Sequence, residues 1–164
     1  MIESVSHRQD AVNPDPGERT TAGDAFSALV VLVFQLDGAL ASAGDALARP
    51  AGQTTARWRV MAAVEDGART VSQVARGWGL ARQSIQRVAD ELVEEGWAAF
   101  GENPDHRRAQ LLRLTTRGRR ALRRIQAAQR SWADALGAKI GEADLREASA
   151  VLARVLEELR AGPA

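Results

Sequence analysis

The sequence predicts a mostly α-helical chain that carries one small β-hairpin. Three observations lead there. Apolar residues recur at helical spacing through most of the 164 residues. Two short helical stretches, the first opened by a capping box, meet at Gly77-Trp78-Gly79. Directly after them, two short apolar-bearing segments flank Asn103-Pro104-Asp105, which is turn chemistry.

Each element follows in order. Met1 to Gly23 is rich in Pro, Gly, Asp and Ser and reads as a flexible tail without the apolar stretch of a signal peptide. A helix is expected from about Asp24 to Arg49. Its Phe26, Leu29, Val30, Val33, Phe34, Leu36 and Leu40 cover so much of the surface that it needs burial on more than one side. Pro50 and Gly52 end it. Thr54 or Thr55 caps a second helix over Ala56 to Glu65, with Trp58, Val60, Met61 and Val64 inward. Thr70-Val71-Ser72-Gln73 opens a short third helix through a hydroxyl at the N-cap and a glutamine three residues on. A fourth runs from about Ala81 to Glu95, and Gly96 ends it in the left-handed conformation. Trp97 to Phe100 and Gln110 to Leu114 form the hairpin, with a charged tip over Gly101 to Ala109. Thr115 caps a long helix to about Ala138, and a last helix spans Glu142 to Arg160. Two short helices followed by a hairpin make a winged helix-turn-helix.

Composition limits the function. Hydrophobic residues are 45% and charged residues 26%, normal for a globular chain. No cysteine is present, which removes disulfides, thiolate metal sites and thiol redox sensing. No uninterrupted apolar run reaches about 18 residues, so neither a membrane span nor a membrane partner is expected and a cytoplasmic location is. His7 lies in the tail and His106 at the hairpin tip, so no pair converges on a metal, and no cofactor is expected. No nucleophile–base grouping or phosphate-binding loop suggests an enzyme. The net charge of +1 hides an asymmetry: Arg69 to Arg124 holds 12 arginines against 6 acidic residues, while the rest of the chain is acidic. A basic middle between acidic flanks suits a polyanion.

The fourth helix carries the sharpest signal. Ile85, Val88, Ala89 and Leu92 share one face. Arg82, Gln83, Gln86, Arg87 and Asp90 share the other. The polar face is graded: Arg82, Gln83, Ser84, Gln86 and Arg87 lie toward the N-terminus, and Asp90, Glu91, Glu94 and Glu95 toward the C-terminus. Recognition helices enter the major groove by their N-terminal residues, where Arg reads guanine and Gln reads adenine. An ordinary amphipathic surface helix would show the same two faces; the capped helix before it and the basic hairpin after it favour recognition. At the hairpin tip, Arg107 and Arg108 on a thin loop can reach a narrow minor groove. Asp105 would oppose DNA unless it holds an arginine in place. A solvated charged turn is the alternative.

At this point the chain resembles the MarR (multiple antibiotic resistance regulator) family. The matching text is TVSQVARGWGLARQSIQRVADELVEEGW from Thr70 and NPDHRRAQLLRLTTRG from Asn103, with ARWRVM at Ala56 to Met61. Asp105-x-Arg107 and Leu114-Thr115-x-x-Gly118 are its most specific parts. The resemblance implies a homodimer whose terminal helices form the interface, with Arg107 in the minor groove and Asp105 as its orienting partner. It also implies a ligand crevice, for which Trp58 and Arg59 are candidate residues toward a small anionic or aromatic effector. Arg59 in a surface ion pair is the plainer reading. Ala81 departs from the family, which often has a capping Ser or Thr there, and the lost cap is worth about 1 kcal/mol.

The expected organisation is therefore a tail over 1–23, a dimerisation helix and linker over 24–55, a DNA-binding lobe over 56–118 and dimerisation helices over 119–164. The expected function is a sequence-specific DNA-binding transcriptional regulator, a ligand-responsive repressor on a palindromic operator. A winged-helix adaptor that binds a protein partner and not DNA is the alternative.

Overall fold

Local sequence sets most element ends. The computed structural model describes residues 19–104 and 108–162. Helix α1 spans Thr21–Ala48, followed by a 3₁₀ turn at Arg49–Ala51 that contains Pro50 and closes on Gly52 at φ 71°. Helix α2 is Thr55–Ala63, and the Thr54 hydroxyl accepts the Arg57 N–H at 3.3 Å. Strand β1, Arg69–Thr70, leads into α3, Val71–Trp78, where Thr70 and Gln73 form the reciprocal capping box. Helix α4 is Arg82–Glu94. Strands β2, Ala98–Gly101, and β3, Leu111–Leu114, precede α5, Thr116–Ile140, and α6, Glu142–Ala161.

One expectation needs correction and another is extended. The first helix begins at Thr21, so residues 21–23, expected in the tail, are helical. The expected hairpin is present as β2 and β3, and β1 extends it to three antiparallel strands in the order β1-β3-β2. Arg69 and Thr70 pair with Leu112 and Leu111 on the outer edge of β3. Two residues between an exposed turn and a helix cap carry no alternation, so sequence periodicity cannot reveal such a strand.

The chain divides into two compact units, meeting between Ala41 and Ser42. In the first, α1 exposes Phe26, Val31, Leu32, Phe34, Leu36 and Leu40. The helical segment Thr21–Ala51 reaches a mean hydropathy of 1.8, so by length and composition it could cross a membrane although polar residues interrupt every apolar run.

The second unit holds the core. Val60 and Met61 of α2, Val74 of α3, Ile85, Val88, Ala89 and Leu92 of α4, Leu112 and Leu114 of β3, and Leu122 and Ile125 of α5 are all buried. Along β3 the side chains alternate, with Arg113 exposed between two buried leucines. Trp58 and Trp97 are partly buried against this core, as their apolar faces suggested. Trp132 is only half-buried and stands outside it.

Two glycines permit close approaches. A Cβ on Gly44 would lie 2.5 Å from the Thr55 hydroxyl oxygen, where the end of α1 meets the start of α2. There Asp45 Oδ1 accepts the Thr55 N–H at 2.6 Å, and Thr55 holds the Asp45 carboxyl below its ordinary value, chiefly through that N–H. A Cβ on Gly118 would lie 2.0 Å from the Trp97 carbonyl oxygen. A backbone atom cannot swing aside as a side chain can. Gly118→Ala should therefore destabilise the fold by about 3 kcal/mol, the upper end of the usual cost of overpacking. Urea denaturation checks this; an unchanged midpoint would show that α5 can slide away from the wing.

Candidate nucleic-acid interface

The interface begins with the turn between α3 and α4. Gly79 adopts φ 63° and ends α3, its N–H donating to the Ala75 and Arg76 carbonyls. Ala81 then opens α4 in extended conformation without any side-chain cap, as its residue type requires. Arg82, Gln83 and Ser84 of this first turn are all exposed.

Burial separates the two faces of α4. Ile85, Val88, Ala89 and Leu92 are each 6% exposed or less, which leaves the polar face to solvent. Arg82 and Gln86 meet Arg108, Thr70, Ser72 and Gln110 around one recess of about 110 Å³. Three residues expected to contact DNA, two from the helix and one from the wing, are thus brought together. Arg87 is exposed one turn along α4 from Gln83 and Ser84. Asp105 and Arg107, and the inferred contact between them, lie outside the described residues.

The acidic half of α4 is organised by a residue that nothing in the sequence singles out. Arg57 of α2 is partly buried, its side chain 16% exposed. Its Nε and NH2 donate to Glu91 Oε2 at 3.4 and 3.3 Å, and its NH1 donates to Glu95 Oε2 at 2.9 Å. Glu95 also accepts the Trp97 indole N–H at 3.0 Å. The Arg117 guanidinium stacks 3.6 Å from the centre of the Trp97 ring and donates to the Glu95 carbonyl at 2.7 Å. On the same face Gln86 donates to Asp90 at 2.8 Å, and Arg87 donates to Glu91 Oε1 at 2.8 Å.

Two arginines at the start of α5 are likewise engaged within the fold. Arg117 is committed to Trp97, and Arg119 donates to the Leu114 carbonyl at 2.7 Å. Both brace the wing base. The spacing of Glu91 and Glu95, one helical turn apart, was the available signal for a shared basic partner. Their distance of more than thirty residues from Arg57 in the chain hid which partner it is. Trp58 and Arg59 follow Arg57 on α2, the first packed partly against the core and the second half-buried.

Comparison with known proteins agrees with this geometry. Residues 51–109 match the MarR family. The chain is similar to the uncharacterized protein Rv2011c of Mycobacterium tuberculosis, 47% identical over 102 residues, which covers 62% of this chain and 71% of that protein. In fold it is similar to a mutant of MarR from E. coli in complex with operator DNA (TM-score 0.74, 19% identity, 81% of this chain and 96% of that one). It is also similar to the transcriptional repressor CouR bound to a DNA duplex (TM-score 0.72, 20% identity, 85% of this chain and 99% of that one). The fold and site define a winged-helix protein of the DNA-binding regulator class. The chain belongs to the MarR family.

The Arg57–Glu95 pair has a measurable signature. The Arg57 guanidinium first, and the Trp97 N–H second, hold the Glu95 carboxyl below its ordinary value of 4.5, while Glu95 raises the Arg57 pKa. Glu95 therefore stays ionised to lower pH in the folded chain than in the unfolded one. Its contribution is complete above the ordinary carboxylate range and is lost as pH falls through the lowered value. Urea midpoints of wild type and Arg57→Met should differ at neutral pH and converge as pH falls through and below the ordinary carboxylate range. A gap that stays constant over this range would contradict the pairing.

Proposed function

We propose that this protein is a homodimeric repressor that binds a near-palindromic operator and releases it on binding a small effector. One observation carries the DNA-binding part: Arg82, Gln86 and Arg108 converge on one polar recess at the outward end of α4. Arg82, Gln83, Ser84, Gln86 and Arg87 face the major groove in this reading, and Arg107 and Arg108 of the wing face the adjacent minor groove, with Asp105 orienting Arg107. Residues 56–118 form the reading lobe. The exposed arginines on α4 count against an adaptor that binds only protein, and the regulator is not an enzyme.

The homodimer is supported by unpartnered apolar surface. Helix α6 has no buried residue, yet it carries Leu145, Leu152, Leu156 and Leu159, and α5 ends with Leu136 and Ile140 exposed. The exposed apolar residues of α1 ask for cover in the same way. A second copy supplies that cover in water, which fits a cytoplasmic regulator better than a lipid bilayer does. A two-fold pair also places two recognition helices about one DNA turn apart. Sedimentation of the purified protein without detergent should give a dimer at micromolar concentration; a stable monomer, or material soluble only in detergent, would overturn this part.

The effector reading is supported by Trp58 beside Arg59, an aromatic surface next to a cation, and by CouR from Rhodococcus jostii RHA1, whose structure holds p-coumaroyl-CoA. An anionic aromatic ligand is the chemistry this pair suits. It would act by shifting the dimer between two spacings of the recognition helices.

Mutations should separate the two DNA-contacting elements. Arg82→Ala or Gln86→Ala should cost about 1–3 kcal/mol on the selected operator, with much less effect on random duplex. Arg107→Ala should weaken both and flatten the salt dependence by about one unit of slope for each phosphate that its charge neutralises. Mobility-shift titrations at several salt concentrations measure both effects. An Arg82→Ala variant equally weakened on operator and random DNA would contradict the major-groove assignment.

A further inference from the structure

Glu91 stands between two arginines of different surroundings. Its Oε2 receives Arg57, anchored from α2 and partly buried. Its Oε1 receives Arg87, whose side chain is 73% exposed. An exposed Arg–Glu pair four residues apart on a helix is held only weakly, because both side chains lose rotamer freedom to form it. Here the carboxylate is already fixed from behind. Both hydrogen bonds from that guanidinium end on the same oxygen, Oε2, and anchor that side of the carboxylate, and the same guanidinium is held in turn by Glu95. With Oε2 anchored, Oε1 has fewer orientations left, and Arg87 loses less freedom on meeting it. Gln86 and Asp90 make the parallel pair one residue earlier on the same face.

We propose that Arg57 and Glu91 are positioning residues for DNA reading: Arg57 fixes Glu91, and Glu91 aims the Arg87 guanidinium at a base edge. This rests on the reading that the polar face of α4 meets the major groove. The carboxylate leaves Arg87 its remaining N–H donors, since one bond at NH1 engages one of five. Arg57 and Arg87 together balance Glu91 and Glu95, so the network turns no net negative charge toward phosphate. Bidentate recognition of guanine demands a fixed guanidinium plane, so the relay acts on sequence preference more than on overall affinity.

The test uses the full-length protein and two duplexes, the selected operator and a scrambled one of equal length. The ratio of their affinities is measured for wild type, Glu91→Gln, Arg57→Met, Arg87→Ala and the doubles with Arg87→Ala. Glu91→Gln and Arg57→Met should each lower the ratio by about three- to tenfold, the usual range for coupled neighbours. In selections from random DNA, the lost preference should fall on the same base pair that Arg87→Ala relaxes. With Arg87→Ala already present, neither change should lower the ratio further, and a merely structural role would not show this dependence. Glu91→Gln keeps shape and helix propensity, so it carries the test even if Arg57→Met fails to fold. The proposal is overturned if Glu91→Gln tightens both duplexes equally, if its effect persists beside Arg87→Ala, or if the preference is lost over many base pairs. Wild-type protein that selects no preferred sequence would overturn the DNA-reading function itself, and this inference with it.

Discussion

Helix α5 starts against the backbone of the wing, and the rest of the lobe is built outward from that corner. The Thr115 hydroxyl sits 2.9 Å from the Gly96 carbonyl oxygen and 3.1 Å from that of Trp97, and it accepts the Gly118 N–H at 3.1 Å. Three elements end within this space: α4 through Gly96, β2 through Trp97 and β3 through Leu114. Only glycine at 118 allows the approach, because any Cβ would overlap the Trp97 carbonyl. The Leu-Thr-x-x-Gly motif is thus a packing constraint that fixes where the wing leaves the core. Arg117 and Arg119 reinforce it from the same helical turn, one across the Trp97 ring and one on the Leu114 carbonyl.

From this corner the charge pattern of α4 takes on its meaning. Four carboxylates at the C-terminal half of a recognition helix would be a liability near phosphate if left free. Glu91 and Glu95 are drawn back onto Arg57, and Glu95 also onto Trp97. Asp90 and Glu91 face the reading residues Gln86 and Arg87. The acids thus form a layer that ties down the polar side chains of α4. The stiffness comes from Arg57, a partly buried guanidinium that two carboxylates hold at once.

Outside the lobe the physics is simpler. Helices α1 and α6 obey helical periodicity but find little to bury their apolar residues against within their own units. Periodicity specifies that a helix has an apolar surface and leaves its cover unnamed. The same property lets α1 match the length and hydropathy of a membrane span. A second protein chain and a lipid bilayer differ in which polar atoms they can satisfy. The Asp37 and Gln35 that interrupt the apolar surface of α1 suit a protein partner in water.

Much of the lobe was legible from local chemistry alone. Thr54, Thr70 and Thr115 each cap the helix expected of them, because capping depends on residues three apart. The buried face of α4 was legible for the same reason, since Ile85, Val88, Ala89 and Leu92 are related by helical rotation alone. The graded polar face followed from the same wheel. What sequence could not supply were relations between residues far apart in the chain. Strand β1 exists because Leu111 and Leu112 offer it an edge, not because Arg69-Thr70 favours a strand. Arg57 became a support of the recognition helix only when α2 was packed beside α4. Arg117 and Arg119, identical in sequence to any arginines on a solvated face, were assigned to the wing base by the close approach that Gly118 permits. Caps and amphipathic faces are set within a few residues, so the chain encodes them directly. Ion pairs between elements depend on the positions of whole helices, which only the packed core determines.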